Sequence, residues 1–224
     1  MMKLRLMISA LCVASIGMAG CASKVTQPDE YSGFLSNYSQ LKKATSPSGA
    51  EVMRWVDPTL DLSRYTAVYI EPTQFYPTPQ ASAKIPQSTL SGINSYFNQA
   101  LKRELAKSLP LANGPGPGVI VVRAAITAVS SKTEGLKPYE FIPVALVAAA
   151  VSTGAGIRDQ ETTLGTEAQF LDGANGKVLA QVVRKGTGKP LSNDSQVMKA
   201  DDVKEVIDGW ASDLHQSYVK LKKH

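Results

Sequence analysis

The chain has 224 residues, 43% of them apolar, with 24 Lys plus Arg against 19 Asp plus Glu and a net charge of +5. That suffices for one domain of ordinary size or two small ones. The only dense basic cluster, Lys220-Leu221-Lys222-Lys223, suits the last turn of a helix, so nucleic acid is not an expected partner. The only cysteines are Cys12 and Cys21, which excludes a disulfide framework within the body of the chain.

Met1-Met2-Lys3-Leu4-Arg5 is a short basic start, and Leu6 to Gly17 is uncharged and mainly apolar. Small residues then precede Cys21, which is the pattern of a secretory signal peptide. About 12 apolar residues are too few for the ~20 that a bilayer core requires. Met18-Ala19-Gly20-Cys21 resembles the lipobox of bacterial lipoproteins, with Met in place of the usual Leu. The resemblance implies cleavage before Cys21, lipidation of its thiol and acylation of the new N-terminus. Acyl chains such as palmitate would then hold the protein on a membrane without spanning it. Ala22, by resemblance to lipoprotein sorting signals, favours the periplasmic face of the outer membrane, while Ser23-Lys24 leaves the inner membrane open.

Residues 1–20 are thus expected to be a signal peptide. Residues 21–50 would carry the lipidated cysteine, a tether and an aromatic strap, and residues 51–224 a single periplasmic domain. Ala22 to Glu30 reads as a flexible polar tether reaching about 15–20 Å. In Tyr31 to Leu41 the apolar residues fall at i, i+3, i+4, i+7 and i+10, a helical spacing. That segment is either a strap packed on the domain or an aromatic strip for a partner, with Tyr31, Phe34 and Tyr38 as candidate contacts. Lys42 to Ala50 reads as a loop and Val52 to Pro58 as a short extended piece.

Thr66 to Glu71 is the first clear strand, closed by Pro72. Ser88 to Leu109 is predicted as a helix, with Leu90, Ile93, Phe97, Leu101, Leu105 and Leu109 in one stripe and Pro110 as its stop. After the turn cluster Asn113 to Gly118, Val119 to Ser130 reads as a long strand. Strand, helix and strand suggest a right-handed crossover with parallel strands.

Phe141 to Gly156 carries no charge, and its apolar part, Phe141 to Val151, contains Pro143. A helix from Val144 to Val151 would rise only ~12 Å against ~30 Å of hydrocarbon, so it does not span. It is either a buried connection or an exposed patch meeting a partner or lipid surface, with Phe141, Val144, Val147 and Val151 as candidate contacts.

Thr162 to Leu171 alternates, placing Leu164, Thr166, Ala168 and Phe170 on one face and Glu167 and Gln169 on the other. Asp172 to Gly176 signals a hairpin turn. Lys177 to Lys185 returns with Val178, Ala180 and Val182 on one face. The last helix is expected over Gln196 to Leu221, with Val203, Val206, Ile207, Trp210, Leu214, Tyr218 and Leu221 in its stripe. The expected fold is therefore α/β (α+β). It is a two-layer sandwich with a mixed sheet of about four strands and two long helices on one face.

Familiar catalytic and metal-binding patterns do not occur. The only histidines are His215 and His224, and no HExxH or CxxC spacing exists. Gly186-Thr-Gly188-Lys189 fails as a phosphate loop because Val183 stands where a glycine is required and Pro190 follows the lysine. No cofactor or metal is expected. Glu71, Glu134, Glu140, Asp159, Glu161 and Glu167 are scattered, and two could in principle meet as a glycosidase pair acting on the cell wall.

Ser32 to Leu41, Arg54-Trp-Val-Asp-Pro58 with Tyr65 and Ile70-Glu-Pro72, and Val182 to Gly186 resemble an uncharacterised family of bacterial lipoproteins, domain of unknown function 3313. The resemblance covers nearly the whole mature chain and brings no catalytic residue with it. The expected role is a lipid-anchored, non-catalytic module that binds an envelope partner. The alternatives are a hydrolase using a carboxylate pair and a self-associating subunit of an envelope assembly.

Overall fold

The computed structural model describes residues 25–133, 160–193 and 195–223. Cys21 and the apolar run with Phe141, Val144, Val147 and Val151 lie outside the described residues.

The sheet is nearly twice as wide as expected. Seven strands form it: β1 (Lys42–Thr45), β2 (Glu51–Val56), β3 (Ala67–Ile70), β4 (Gln74–Phe75), β5 (Val119–Thr133), β6 (Gln160–Asp172) and β7 (Val178–Thr187). The order is β1-β2-β7-β6-β5-β3, with β4 pairing β5 beyond β3. The helices are α1 (Gln87–Leu105) and α2 (Lys204–Leu221). The expected four strands are β3, β5, β6 and β7, and β3 runs parallel to β5 as the crossover requires. The additions come from segments with weak strand patterning. Lys42 to Thr45, expected in a loop, pairs antiparallel with β2, and β2 continues the sheet along β7.

Alternation assigns the two faces. Ile120, Val122, Ala124 and Ile126 of β5 and Leu164 and Ala168 of β6 pack with Leu90, Ile93, Phe97, Ile207 and Trp210 of the helices. Both helices therefore cover one face. A register shift between Ile126 and Ala128 lets Ile126 and Val129 point into the same core despite their odd spacing. A second shift, at Phe170/Leu171, brings Leu179 into that core, which strict alternation from Val178 did not anticipate.

The α1 stripe is as expected, but the α-helix ends at Leu105 and the chain reaches buried Leu109 through a tighter turn. The last helix is preceded by a 3-10 turn at Ala200–Val203, begun where Asp202 Oδ2 accepts a 2.7 Å hydrogen bond from the Lys199 amide. Gly173 lets the β6–β7 turn press on the loop before β5: a Cβ there would lie 2.6 Å from the Gly116 carbonyl.

Candidate functional site

The opposite face of the sheet is where the N-terminal segment lies. Val25 is only 5% exposed and Thr26 is 6% exposed, and Pro28–Glu30 forms a 3-10 turn. Glu30 pairs with Lys185 on β7 at 2.9 and 3.1 Å. The tether expected over Ala22 to Glu30 is thus docked from Val25 onward. Tyr31 to Leu41 is not a helix. Gly33, with φ of 85°, and the short polar residues around it favour turns, and an eleven-residue segment is too short to hold a helix unaided. The segment is a strap whose Leu35 and Leu41 bury against Val183, with Met53 and Trp55 alongside.

One buried carboxylate fixes the strap. Glu167 of β6 is 1% exposed and points away from the helices. Its Oε1 accepts a 2.8 Å bond from the Ser32 amide, and its Oε2 accepts a 2.6 Å bond from the Tyr38 hydroxyl. The Tyr38 oxygen in turn accepts from the Gly33 amide at 2.8 Å and the Leu35 amide at 3.1 Å. A buried charge stays only where hydrogen bonds satisfy it, and two strap donors do so here. Burial, then the bond to Glu167 and its charge, pushes the Tyr38 phenol up to about 12. Burial and the Glu167 charge raise Tyr31 as well.

The three strap aromatics singled out from the sequence come together. Tyr31 and Tyr38 stack with ring centres 4.5 Å apart and planes within 11°. Phe34 meets Tyr76, which is 40% exposed, at 5.7 Å and a 60° tilt. The result is a half-exposed aromatic patch beside the start of the described chain.

The acidic residues do not present a catalytic pair among the described residues. Arg123 donates to both oxygens of Glu71 at 2.7 and 2.9 Å, Thr187 donates to Glu161, and Glu167 serves the strap. Glu134, Glu140, Asp159 and His224 lie outside the described residues. His215 Nδ1 sits 3.0 Å from the Ser108 hydroxyl. Among the described residues no cluster of three His, Cys, Asp or Glu could hold a metal, and no helix is long and apolar enough to cross a membrane.

Sequence reasoning passed over one buried ion pair on the helix face. Arg184 of β7 meets Asp213 of α2 at 2.5 Å, and both are more than nine-tenths buried. Asp213 also accepts from the Ser48 amide and hydroxyl at 2.8 and 2.9 Å. Burial pushes the Asp213 carboxyl up, but Arg184 and the hydroxyls of Ser46 and Ser48 outweigh it and hold the group below its usual range. Trp210 lies under the guanidinium at 5.5 Å. Nothing in the spacing of Arg184 and Asp213 announces the pair, since they are joined only by docking of α2 on β7.

Residues 30–214 match the family described as "Protein of unknown function (DUF3313)". The chain belongs to this family. It is 44% identical, over 96% of both chains, to a protein of Escherichia coli K12 called uncharacterized lipoprotein YdcL. Two solved structures resemble it distantly. A DUF330-family protein from Xanthomonas campestris covers 82% of this chain and 95% of its own at 10% identity, with a TM-score of 0.42. A minor lipoprotein from Acinetobacter baumannii covers 70% of this chain and 93% of its own at 13% identity and a TM-score of 0.39. At those scores neither carries an argument about function.

Proposed function

We propose that the protein is a lipid-anchored lipoprotein of the bacterial envelope whose single domain is non-catalytic and binds an envelope partner. The anchor is Cys21, by the lipobox at Met18 to Cys21, and the relative in Escherichia coli carries the name of a lipoprotein. The membrane is the outer one, on its periplasmic face, from the residue after the cysteine.

The observation that carries the binding role is the docked strap. Val25 is buried four residues after Cys21, so the lipid is attached within about 14 Å of the domain surface. The aromatic patch of Tyr31, Phe34, Tyr38 and Tyr76 is thereby held near the membrane. Half-exposed aromatics on a rigid support are the residue types that anchor interfaces. The engagement of Glu71, Glu161 and Glu167 in separate contacts weighs against the hydrolase reading.

The test is photo-crosslinking in intact cells with the probe at Tyr76, which is exposed and whose replacement leaves the strap bonds in place. A discrete protein adduct, absent when Cys21→Ala removes the anchor, supports the reading. Absence of any protein adduct from Tyr76, or robust turnover of peptidoglycan, ester or phosphate substrates by the purified protein, overturns it.

A further inference from the structure

The helix layer is narrower than the sheet it covers. Strands ~4.8 Å apart place the outer members of the six-strand path about 24 Å from one another. Two packed helices cover roughly 20 Å. The shortfall opens as a hollow of about 140 Å³ between the C-terminal half of α2 and the β2–β7 side of the sheet. Val56, Phe97, Phe170, Val182, Trp210 and Leu214 are among its walls, and Leu221, 41% exposed, stands among the lining residues.

Only three charged side chains line this hollow: Arg54, Arg184 and Asp213. Arg184 and Asp213 neutralise each other. Arg54, half-buried on β2, has no carboxylate partner among the described residues, so the hollow carries one uncompensated positive charge. Two buried polar atoms on lining residues, Arg184 Nε and Tyr218 Oη, also lack a hydrogen-bond partner among the described residues. Both can donate, and buried donors left unmatched are costly.

A dry apolar cavity of ~150 Å³ accommodates a benzene-sized body, on the order of six carbons. That is room for the end of one hydrocarbon chain and not for two. We propose that this hollow binds a single-chain anionic amphiphile, a free fatty acid, with its hydrocarbon end against Phe97, Phe170 and Trp210 and its carboxylate held by Arg54. The ligand carboxylate answers the Arg54 charge, and the apolar lining answers the chain. The free acid, rather than the protein's own lipid, is the proposed occupant, because the chain from Glu30 to Leu41 docks on the strap face and the hollow is on the helix face.

Trp210 lines the hollow, and the only other tryptophan is Trp55, on the strap face. The test uses the full mature lipidated protein carrying Trp55→Phe in phospholipid vesicles, titrated with a brominated medium-chain fatty acid. The expected result is a saturable loss of at least about half of the Trp210 emission, since heavy atoms in van der Waals range quench it. Arg54→Gln is expected to raise the half-saturating concentration about fivefold, the scale of one charge-assisted contact. A brominated alcohol of the same length should not respond to that change. Ala180→Phe, which fills the hollow from β7, is expected to abolish the quenching, with a retained thermal midpoint showing that the domain still folds. Three outcomes overturn the proposal. They are no quenching, quenching that is unsaturable and survives Ala180→Phe, and equal quenching by vesicles of brominated phospholipid without fatty acid.

Discussion

Tyr38 and Glu167, 129 residues apart in the chain, are joined by a 2.6 Å hydrogen bond that ties the strap to the middle of the sheet. Glu167→Ala removes the acceptor for both Tyr38 and the Ser32 amide, and is expected to cost about 2–4 kcal/mol. The loss is local. Limited proteolysis should cut within residues 25–41 while the β5–β6–β7 ladder stays protected, whereas in the wild type both resist together.

Alkaline pH should release the same strap. Tyr38 is held neutral up to about 12, above the ~10 of an unfolded tyrosine. Tyr65, buried and donating to Asp172 at 2.8 Å, is raised to about 12 as well. Groups with raised folded values stabilise fully below the unfolded value, and that contribution fades as pH rises from about 10 to about 12. Strap protease resistance should therefore fall across that interval, in step with phenolate absorbance. Tyr38→Phe should remove the strap's share of the pH dependence.

The buried ion pair predicts a non-additive result. Asp213→Ala leaves Arg184 charged in an apolar setting and strips the Ser48 amide and hydroxyl of their acceptor, an expected loss of about 3–5 kcal/mol. The double change Arg184→Met with Asp213→Leu should be milder than either single change, because no orphaned charge remains. Urea denaturation midpoints of the three variants check this.

Two glycines should respond with opposite signs. Gly209 lies in α2 with nothing within 4 Å of a built Cβ, so Gly209→Ala should stabilise by about 0.5–1 kcal/mol. At Gly188 a Cβ would collide with the Asp202 carbonyl, a backbone atom that cannot turn aside. Gly188→Ala should destabilise by about 1–3 kcal/mol, and thermal midpoints of the two variants report the contrast.

The long elements were legible because their periodicity is strong. The stripe from Leu90 to Leu105 and the alternation from Leu164 to Phe170 each have one physical reading, and the structure follows them. The sheet's extra strands were not legible. Lys42 to Thr45 is mostly exposed at an edge, so it carries no apolar alternation, and pairing with β2 alone makes it a strand. The strap misled for the converse reason. Its spacing is helical, yet Glu167 takes up the amide and hydroxyl that orient it, and no local pattern reveals a partner 129 residues away. Tyr31, Phe34 and Tyr38 were identifiable as a group from their residue types, while Glu167 looked like any other scattered acid. The hollow and the Arg184–Asp213 pair arise only from where α2 lands on the sheet.

Docking of the chain from Val25 also gives the anchored protein a two-stage mechanical response. Tension between membrane and domain reaches the Glu30–Lys185 pair and the Glu167 bonds before it reaches the sheet ladder. These contacts, with the burial of Leu35 and Leu41, lie between the N-terminus and the ladder and would be loaded first. Peeling residues 25–41 would then pay out roughly 55–60 Å of extra chain with the domain still folded. A force applied between an N-terminal anchor and the domain would thus lengthen the connection before it unfolded the sheet.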